Sequence, residues 1–153
     1  MKNTAFINSI SVPDIGPGSA LLLWSIRATF HGTSRPGCMA CAFLKLLGAK
    51  RGPELLRDLV AFSRQVVKLT REPIAISKPS CRQMTEDEAA LVWIFSAAQA
   101  GEKGESQGHF FSLFNRKPTT NEADAIDKVC WSFLMRGSVL RPPISANTSP
   151  LLQ

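Results

Sequence analysis

Two cysteines separated by two residues, Cys38 and Cys41, are the most reactive pair that the sequence offers. Thiols at this spacing near the start of a helix can act as a redox pair or bind zinc, because both settings favour the thiolate. Cys81 and His31 are available as the third and fourth ligands of a zinc site. The sequence has no second Cys-x-x-Cys or His-x-x-His pair, however, and a redox pair usually follows a strand. We therefore interpret both thiols as buried core residues, with metal or redox chemistry as a remote alternative.

A row of basic residues is the second candidate site. Arg57, Arg64 and Arg71 recur every seven residues, and Lys68 falls on the same side of the helix that we predict for residues 53–70. Such a row can bind a phosphate backbone or an acidic protein surface, and it can also be an ordinary solvated helix face. No aromatic residue is interleaved with the row for base stacking, and acidic residues on the same helix weaken its field. A protein partner is therefore our first binding hypothesis for these four residues, and nucleic acid is the second.

The acidic run at residues 86–88, together with His109, is the third candidate, since paired carboxylates can perform acid–base catalysis or bind a hard cation. Thr85 precedes Glu88 at the capping-box spacing, so a helix N-terminus explains the acids without a catalytic role. The sequence contains no Ser/His/Asp set, phosphate-binding loop or dinucleotide fingerprint. We therefore expect no enzymatic activity, no catalytic residue and no cofactor.

The helix that begins at this cap organises the rest of the predicted fold. Residues 86–100 contain the apolar run AALVWIFSAA, which covers every face of a helix, and Gly101 ends the helix. A helix that is apolar all round is buried all round, and this one is shorter than the about 20 apolar residues that cross a bilayer. We therefore predict a central buried helix with amphipathic neighbours around it.

Four further helices are predicted from start and stop signals and from apolar spacing. They cover residues 17–31, 36–47, 53–70 and 121–135. The third has the clearest core stripe, formed by Leu55, Leu59, Phe62, Val66 and Leu69. The inward-facing residues of the last are Ile126, Val129, Cys130, Phe133 and Leu134. We expect an extended crossover over 72–82, a flexible polar loop over 101–108 and one or two helical turns over 109–114.

This pattern predicts one all-α domain, a bundle of five or six helices around the 86–100 helix. Residues 1–16 are expected to be a loose arm, 17–137 the helical domain and 138–153 a disordered or surface-laid tail. A length of 153 residues fits a single domain. Neither a secretory signal nor a transmembrane segment is recognisable, and four unevenly spaced cysteines favour a reducing cytoplasm.

The net charge of +6 is unevenly distributed along the chain. Residues 27–82 carry 11 basic and three acidic residues, whereas residues 83–127 carry three basic and eight acidic ones. One basic and one acidic face would attract charged partners. The same two faces would also attract each other between copies of the chain, so a homo-oligomer is an alternative. Trp131 lies off the core stripe of its helix and is a candidate interface residue.

Our leading functional hypothesis is therefore a small cytoplasmic adaptor or regulatory protein that acts by binding another protein, with no membrane partner. The first alternative is a nucleic-acid-binding regulator that uses the basic residues of the 53–70 helix. The remote alternative is a thiol or zinc protein that uses Cys38 and Cys41.

Three segments, LLLWSIRATFHG, RGPELLRDLVAFSRQVVKLTREPIAI and CRQMTEDEAAL, resemble a small α-helical family of bacterial proteins of unknown function. The resemblance covers residues 20–98 and includes an R-x-M-T-x-D-E-A helix start. The chain departs from it at Gly52-Pro53, where the family has Arg-Pro, and at its single Cys81, where the family has a cluster. The Cys-x-x-Cys pair lies outside the family pattern. The resemblance implies a helical fold and no particular chemistry.

Overall fold

The protein is a bundle of helices with one short two-stranded β-ladder, seen in a computed structural model that describes residues 6–31 and 36–143. The elements in these ranges are β1 (Phe6–Ser11), a 3-10 helix (Val12–Ile15), α1 (Pro17–His31), α2 (Pro36–Leu69), β2 (Gln83–Thr85), α3 (Glu86–Gln99), α4 (Lys103–Phe114) and α5 (Thr120–Leu134). The predicted all-α single-domain bundle is confirmed, since the helices pack against one another around a common core.

The central helix of the prediction is α3, which contacts α1, α4 and α5. Its capping box is present: the Thr85 hydroxyl accepts the Glu88 N–H at 3.0 Å, and the Glu88 carboxylate accepts the Thr85 N–H at 3.0 Å. The apolar run is buried as expected, at Ala89, Leu91, Val92, Ile94, Phe95 and Ala97. Gly101 ends the helix with a φ of +82°, and the N–H groups of residues 101 and 102 reach back to the carbonyls of residues 98 and 97.

The two helices predicted over 36–47 and 53–70 are joined into one helical segment, α2, with a break at Gly48. Gly48 has a φ of +83°, a conformation that favours glycine, so the predicted stop at this residue is confirmed. The chain resumes a helix directly after the break, and Pro53 lies inside α2 instead of at a helix start. Four residues of the predicted core stripe are buried: Leu55, Leu59, Phe62 and Val66. Leu69 was predicted to face the core, but it is exposed at the end of the helix.

The flexible loop predicted over 101–108 is wrong, because α4 begins at Lys103. Gly104 and Gly108 suggested a loop, yet both lie on the open side of the helix, where a side chain would meet nothing within 4 Å. The buried residues of α4 recur at helical spacing: Ser106, Phe110, Leu113 and Phe114. The Ser106 hydroxyl donates to the Ile94 carbonyl of α3 at 2.8 Å, which fixes the first turns against the core. The two turns predicted over 109–114 are part of this longer helix.

Residues 6–15 form regular structure where the sequence predicts a loose arm over 1–16. Strand β1 pairs antiparallel with β2, and the Val12 N–H donates to the Arg82 carbonyl at 2.8 Å. Pro13 lies in the first turn of the 3-10 helix. A backbone N–H at this position has no carbonyl partner within the helix, so proline, which lacks this N–H, loses no hydrogen bond there. A second apolar cluster lies beneath this segment: Ile15, Leu23, Met84, Ala89 and Val92. The strand was not predicted because its partner is separated from it by about 70 residues of sequence.

The segment after α5 packs against the bundle as far as residue 143. Leu140 is buried in the core, and its N–H donates to the Gln99 side chain at 2.6 Å. Arg141 exchanges two hydrogen bonds with the Ser19 hydroxyl of α1, both of 2.8 Å. Residues 144–153 of the predicted tail lie outside the described part of the chain.

The helices in the described ranges include none that is both long enough and apolar enough to span a lipid bilayer.

Candidate functional site

Three of the four basic residues predicted to share one helix face lie on the solvent side of α2, and the fourth, Arg71, lies in the bend after the helix ends at Leu69. These residues are Arg57, Arg64, Lys68 and Arg71, and each is exposed. The ion pairs described within residues 6–31 and 36–143 involve Arg27, His109 and Arg116 and none of these four residues. The helical part of the row, from Arg57 to Lys68, extends about 16 Å along α2, at 1.5 Å per residue. We call these four residues the basic row.

Aliphatic side chains border the basic row near its far end. Val67 is 59% exposed and Leu69 is 39% exposed, on either side of Lys68. Apolar atoms next to arginines are typical of protein interfaces, where arginine and apolar side chains occur together.

Helix α5 packs against α2, and charged residues of both helices act on the carboxylate of Asp58. Burial raises the pKa of Asp58 above its usual value, and this effect is opposed by Lys128 of α5 and by Arg57 and reinforced by Glu54. Lys128 of α5 therefore lies within electrostatic range of Asp58, on a helix that packs against α2.

An exposed apolar patch occupies the C-terminal end of α5, one turn after Lys128. It consists of Trp131, Leu134 and Met135, with exposed fractions of 58%, 45% and 48%. We call these three residues the Trp131 patch. The prediction that Trp131 lies off the core stripe is confirmed, but the prediction that Leu134 faces inward is wrong. Phe133 is the last buried residue of the stripe. Leu134 follows it and is rotated by about 100° around the helix axis, which turns its side chain toward solvent.

Glu88, the last residue of the acidic run at the start of α3, belongs to a buried cluster that the sequence did not reveal. The Glu88 carboxylate receives two parallel hydrogen bonds from the Arg27 guanidinium, at 2.7 and 2.8 Å, and both side chains are at most 1% exposed. It also accepts the N–H groups of Ser77 and Thr85, at 2.8 and 3.0 Å. Arg27 in turn donates to the carbonyls of Cys81 and Gln83.

The Glu88 carboxylate has a structural role, because hydrogen bonds inside the protein occupy both of its oxygens. Both Glu88 oxygens accept two hydrogen bonds each, so the carboxylate has no position left for a substrate proton. Asp87 accepts the Ala75 N–H at 2.7 Å and helps to hold the crossover against α3. His109, the other member of this candidate site, lies on α4 and stacks on Trp93 with ring centroids 5.0 Å apart.

A second carboxylate–arginine pair closes the capping box of α5. Thr119 and Glu122 exchange the two capping hydrogen bonds, and Arg116 donates to both oxygens of Glu122 at 2.6 and 2.8 Å. Burial acts to raise the pKa of Glu122, but the hydrogen bonds from Arg116 and Thr119 outweigh it and hold this pKa below its usual value. The Arg116 guanidinium lies over the Phe110 and Phe114 rings, at 5.2 and 5.7 Å from their centroids.

The thiol and zinc alternative receives no support from the residues that the structure describes. The His31 ring is exposed and lies 2.9 Å from the Ile76 carbonyl, and Cys81 is half-buried. The side chains of Cys38 and Cys41 lie outside the described residues. Among those residues there is no group of three or more His, Cys, Asp or Glu side chains that could hold a metal ion.

The chain matches no known protein-family model, and neither curated proteins nor solved structures provide a match to it. The resemblance of residues 20–98 to a bacterial helical family therefore stays a prediction.

Proposed function

We propose that the protein is a non-catalytic protein-binding module that contacts its partner through the Trp131 patch. The observation that carries this proposal is the exposure of Trp131, with 58% of its surface in contact with solvent on a helix whose other face is buried. Tryptophan is enriched among the residues that dominate interface energetics, where truncation typically costs about 2 kcal/mol or more of binding free energy.

The spacing of the patch supports the same function. Trp131, Leu134 and Met135 are related by three and four residues, so they lie side by side on one turn of α5. Tryptophan supplies a rigid ring, and methionine supplies an adaptable thioether chain that can fit different partner surfaces. The buried carboxylates at Glu88 and Glu122 hold helix ends, which supports a binding role in preference to a catalytic one.

Site-specific photo-crosslinking tests this proposal. A benzophenone amino acid is placed at residue 131 and, as a matched control, at Phe111, an aromatic residue of α4 that is also about half exposed, at 51%. In a lysate of the source organism, treated with nuclease, we expect a discrete protein adduct from position 131 and none from position 111. Equal adducts at both positions, or no adduct at either, would contradict the proposal.

Nucleic-acid binding by the basic row is the second candidate function, and the exposure of four cations without a described carboxylate partner is the observation that favours it. Four phosphate contacts would lower the affinity for duplex DNA about 100-fold between 50 and 200 mM salt. Fluorescence anisotropy of a labelled duplex measures this change. Substituting Arg57, Arg64 and Arg71 by glutamate should then abolish binding. If the duplex binds weakly and without salt dependence, this candidate is excluded.

A further inference from the structure

We propose that the protein associates with further copies of itself, through the solvent face of α5 on one copy and the solvent face of α2 on the next. This inference rests on the proposed protein-binding function of the Trp131 patch and names a second copy of the chain as the partner. It follows from the order of charged and apolar residues along the two helix faces.

The solvent face of α5 is acidic in its first half and apolar in its second. Its exposed residues, at spacings of three, four and three, are Asp124, Asp127, Trp131 and Leu134. Residues at these spacings lie along one side of a helix, and we call the four the α5 contact face. Lys128 is rotated by about 60° from Trp131 around the helix axis, so it lies at the edge of this face. Neither aspartate takes part in the ion pairs that the structure describes within residues 6–31 and 36–143.

The solvent face of α2 has the opposite charge and a similar spacing. Counted backward along the chain, its exposed residues at spacings of four, three and four are Lys68, Arg64, Ala61 and Arg57. We call these four residues the α2 contact face. At 1.5 Å per residue, the α2 contact face covers about 16 Å and the α5 contact face about 15 Å. The two faces therefore match in length.

The charged parts of the two faces are complementary when the helices run antiparallel. Asp124 then lies opposite Lys68, and Asp127 lies opposite Arg64. In the parallel orientation the two aspartates would lie opposite one arginine and one alanine, so only one of them would meet a cation. Opposite charges across an interface speed association and fix its orientation. The antiparallel orientation therefore fits the charges better.

The apolar parts of the two faces are complementary in the same orientation. Trp131 lies opposite Ala61, whose small side chain leaves space for the indole ring. Leu134 lies opposite Arg57, whose methylene groups offer apolar surface beside the charge. Exposed ion pairs contribute little on their own, but the contact also covers Trp131, which is 58% exposed in the single chain. Hydrophobic burial is thereby added to the ion pairs.

The contact is head-to-tail, because each copy carries both faces and α5 of one copy meets α2 of another. Contacts of this kind close into a ring or extend into a chain of copies. The smallest closed assembly is a dimer that makes the contact twice.

Charge reversal on each contact face tests the pairing. The α5 variant is Asp124→Arg with Asp127→Arg, and the α2 variant is Arg64→Glu with Lys68→Glu. Sedimentation velocity over a range of concentrations, at low ionic strength, measures assembly. We expect each variant alone to assemble at least about tenfold more weakly than the wild type, because like charges then face each other. An equimolar mixture of the two variants should assemble again, since the reversed α5 face of one copy then meets the reversed α2 face of the other.

A matched control reverses two acidic residues at the same three-residue spacing elsewhere on the surface. These are Glu102 and Glu105, both exposed at the start of α4, and the variant is Glu102→Arg with Glu105→Arg. This control should assemble as the wild type does. If the control loses assembly as well, or if the mixture of the α5 and α2 variants stays monomeric, pairing between the two contact faces is excluded.

The photo-crosslinker at residue 131 identifies the contact without a change of charge. In the purified protein we expect an adduct of twice the monomer mass. Mass spectrometry should locate its second site in α2, on the peptide between Arg57 and Arg64. An adduct that joins residue 131 to α5 of the second copy would overturn the inference, because α5 would then pair with itself.

Failure of this inference can be distinguished from failure of the proposed function. If the purified wild type sediments as a monomer at every concentration and gives no adduct, a second copy is excluded as the partner. An adduct between residue 131 and a different protein in the lysate would still support protein binding through the Trp131 patch. If the lysate gives no adduct either, the proposed function fails too.

Discussion

The Arg27 guanidinium and the Glu88 carboxylate form two parallel hydrogen bonds inside the bundle, of 2.7 and 2.8 Å, although 61 residues separate them in sequence. Together they connect four parts of the chain: α1, the crossover before β2, β2 itself and the N-terminus of α3. The same carboxylate completes the capping box of α3. The central helix and its first neighbour are therefore fixed to each other by one ion pair.

Removing one partner of this pair should strongly destabilise the fold. In Glu88→Gln the Arg27 charge stays buried without its counter-charge, and breaking a buried pair in this way typically costs about 3–5 kcal/mol. Urea denaturation measures the free energy of unfolding. The control is Glu86→Gln, an exposed acid in the same turn, which should cost less than about 1 kcal/mol. Equal losses for the two variants would show that the ion pair is not responsible.

The carboxylate of Glu122 should make stability depend on pH. Its pKa is held below the usual value of 4.5 in the folded protein, so the ionised form stabilises the fold. This contribution is complete above the usual carboxyl pKa and is lost as the pH falls through the lowered pKa of the folded state. The stability difference between wild type and Glu122→Gln should therefore shrink from pH 7 toward about pH 3. Thermal unfolding at several pH values checks this, with the exposed Asp124→Asn as control.

The structural features that could be predicted from the sequence depend on residues close together in the chain. Thr85 and Glu88 are three residues apart, and the capping box that this spacing predicts is present. Thr119 and Glu122 form a second capping box at the same spacing. The breaks at Gly48 and Gly101 were also predicted, since a positive φ is a property of a single residue.

The features that the sequence did not reveal depend on distant pairs or on the tertiary environment. Arg27 carries no local sign that it will meet Glu88, and β1 pairs with a strand of only three residues. The loop predicted at α4 was wrong because it was based on glycine content. The two glycines lie on the solvent side of the helix, and the buried residues on its other side recur at helical spacing.

The buried thiol of Cys130 should be unreactive in the folded protein. Burial, with a smaller contribution from the Asp127 charge, raises the pKa of Cys130 to about 12. The thiolate fraction therefore stays small at pH 9, and alkylation by iodoacetamide should be slow at both pH 7 and pH 9. Mass spectrometry of the labelled peptides measures this, with the half-buried Cys81 as the faster internal comparison. Rapid labelling of Cys130 under native conditions would contradict its position in the core.

The glycines of α4 provide a direct test of the helix that replaces the predicted loop. Gly108 lies inside α4, and a Cβ at this position would meet no atom within 4 Å. Gly108→Ala should therefore stabilise the fold by about 0.5–1 kcal/mol, because alanine loses less backbone entropy than glycine in a helix. Gly101 has equally open surroundings but a φ of +82°, so Gly101→Ala should destabilise the protein. Chemical denaturation of both variants separates the two cases. A flexible loop over residues 101–108 would instead give no gain at residue 108, because no helix would form there to favour alanine.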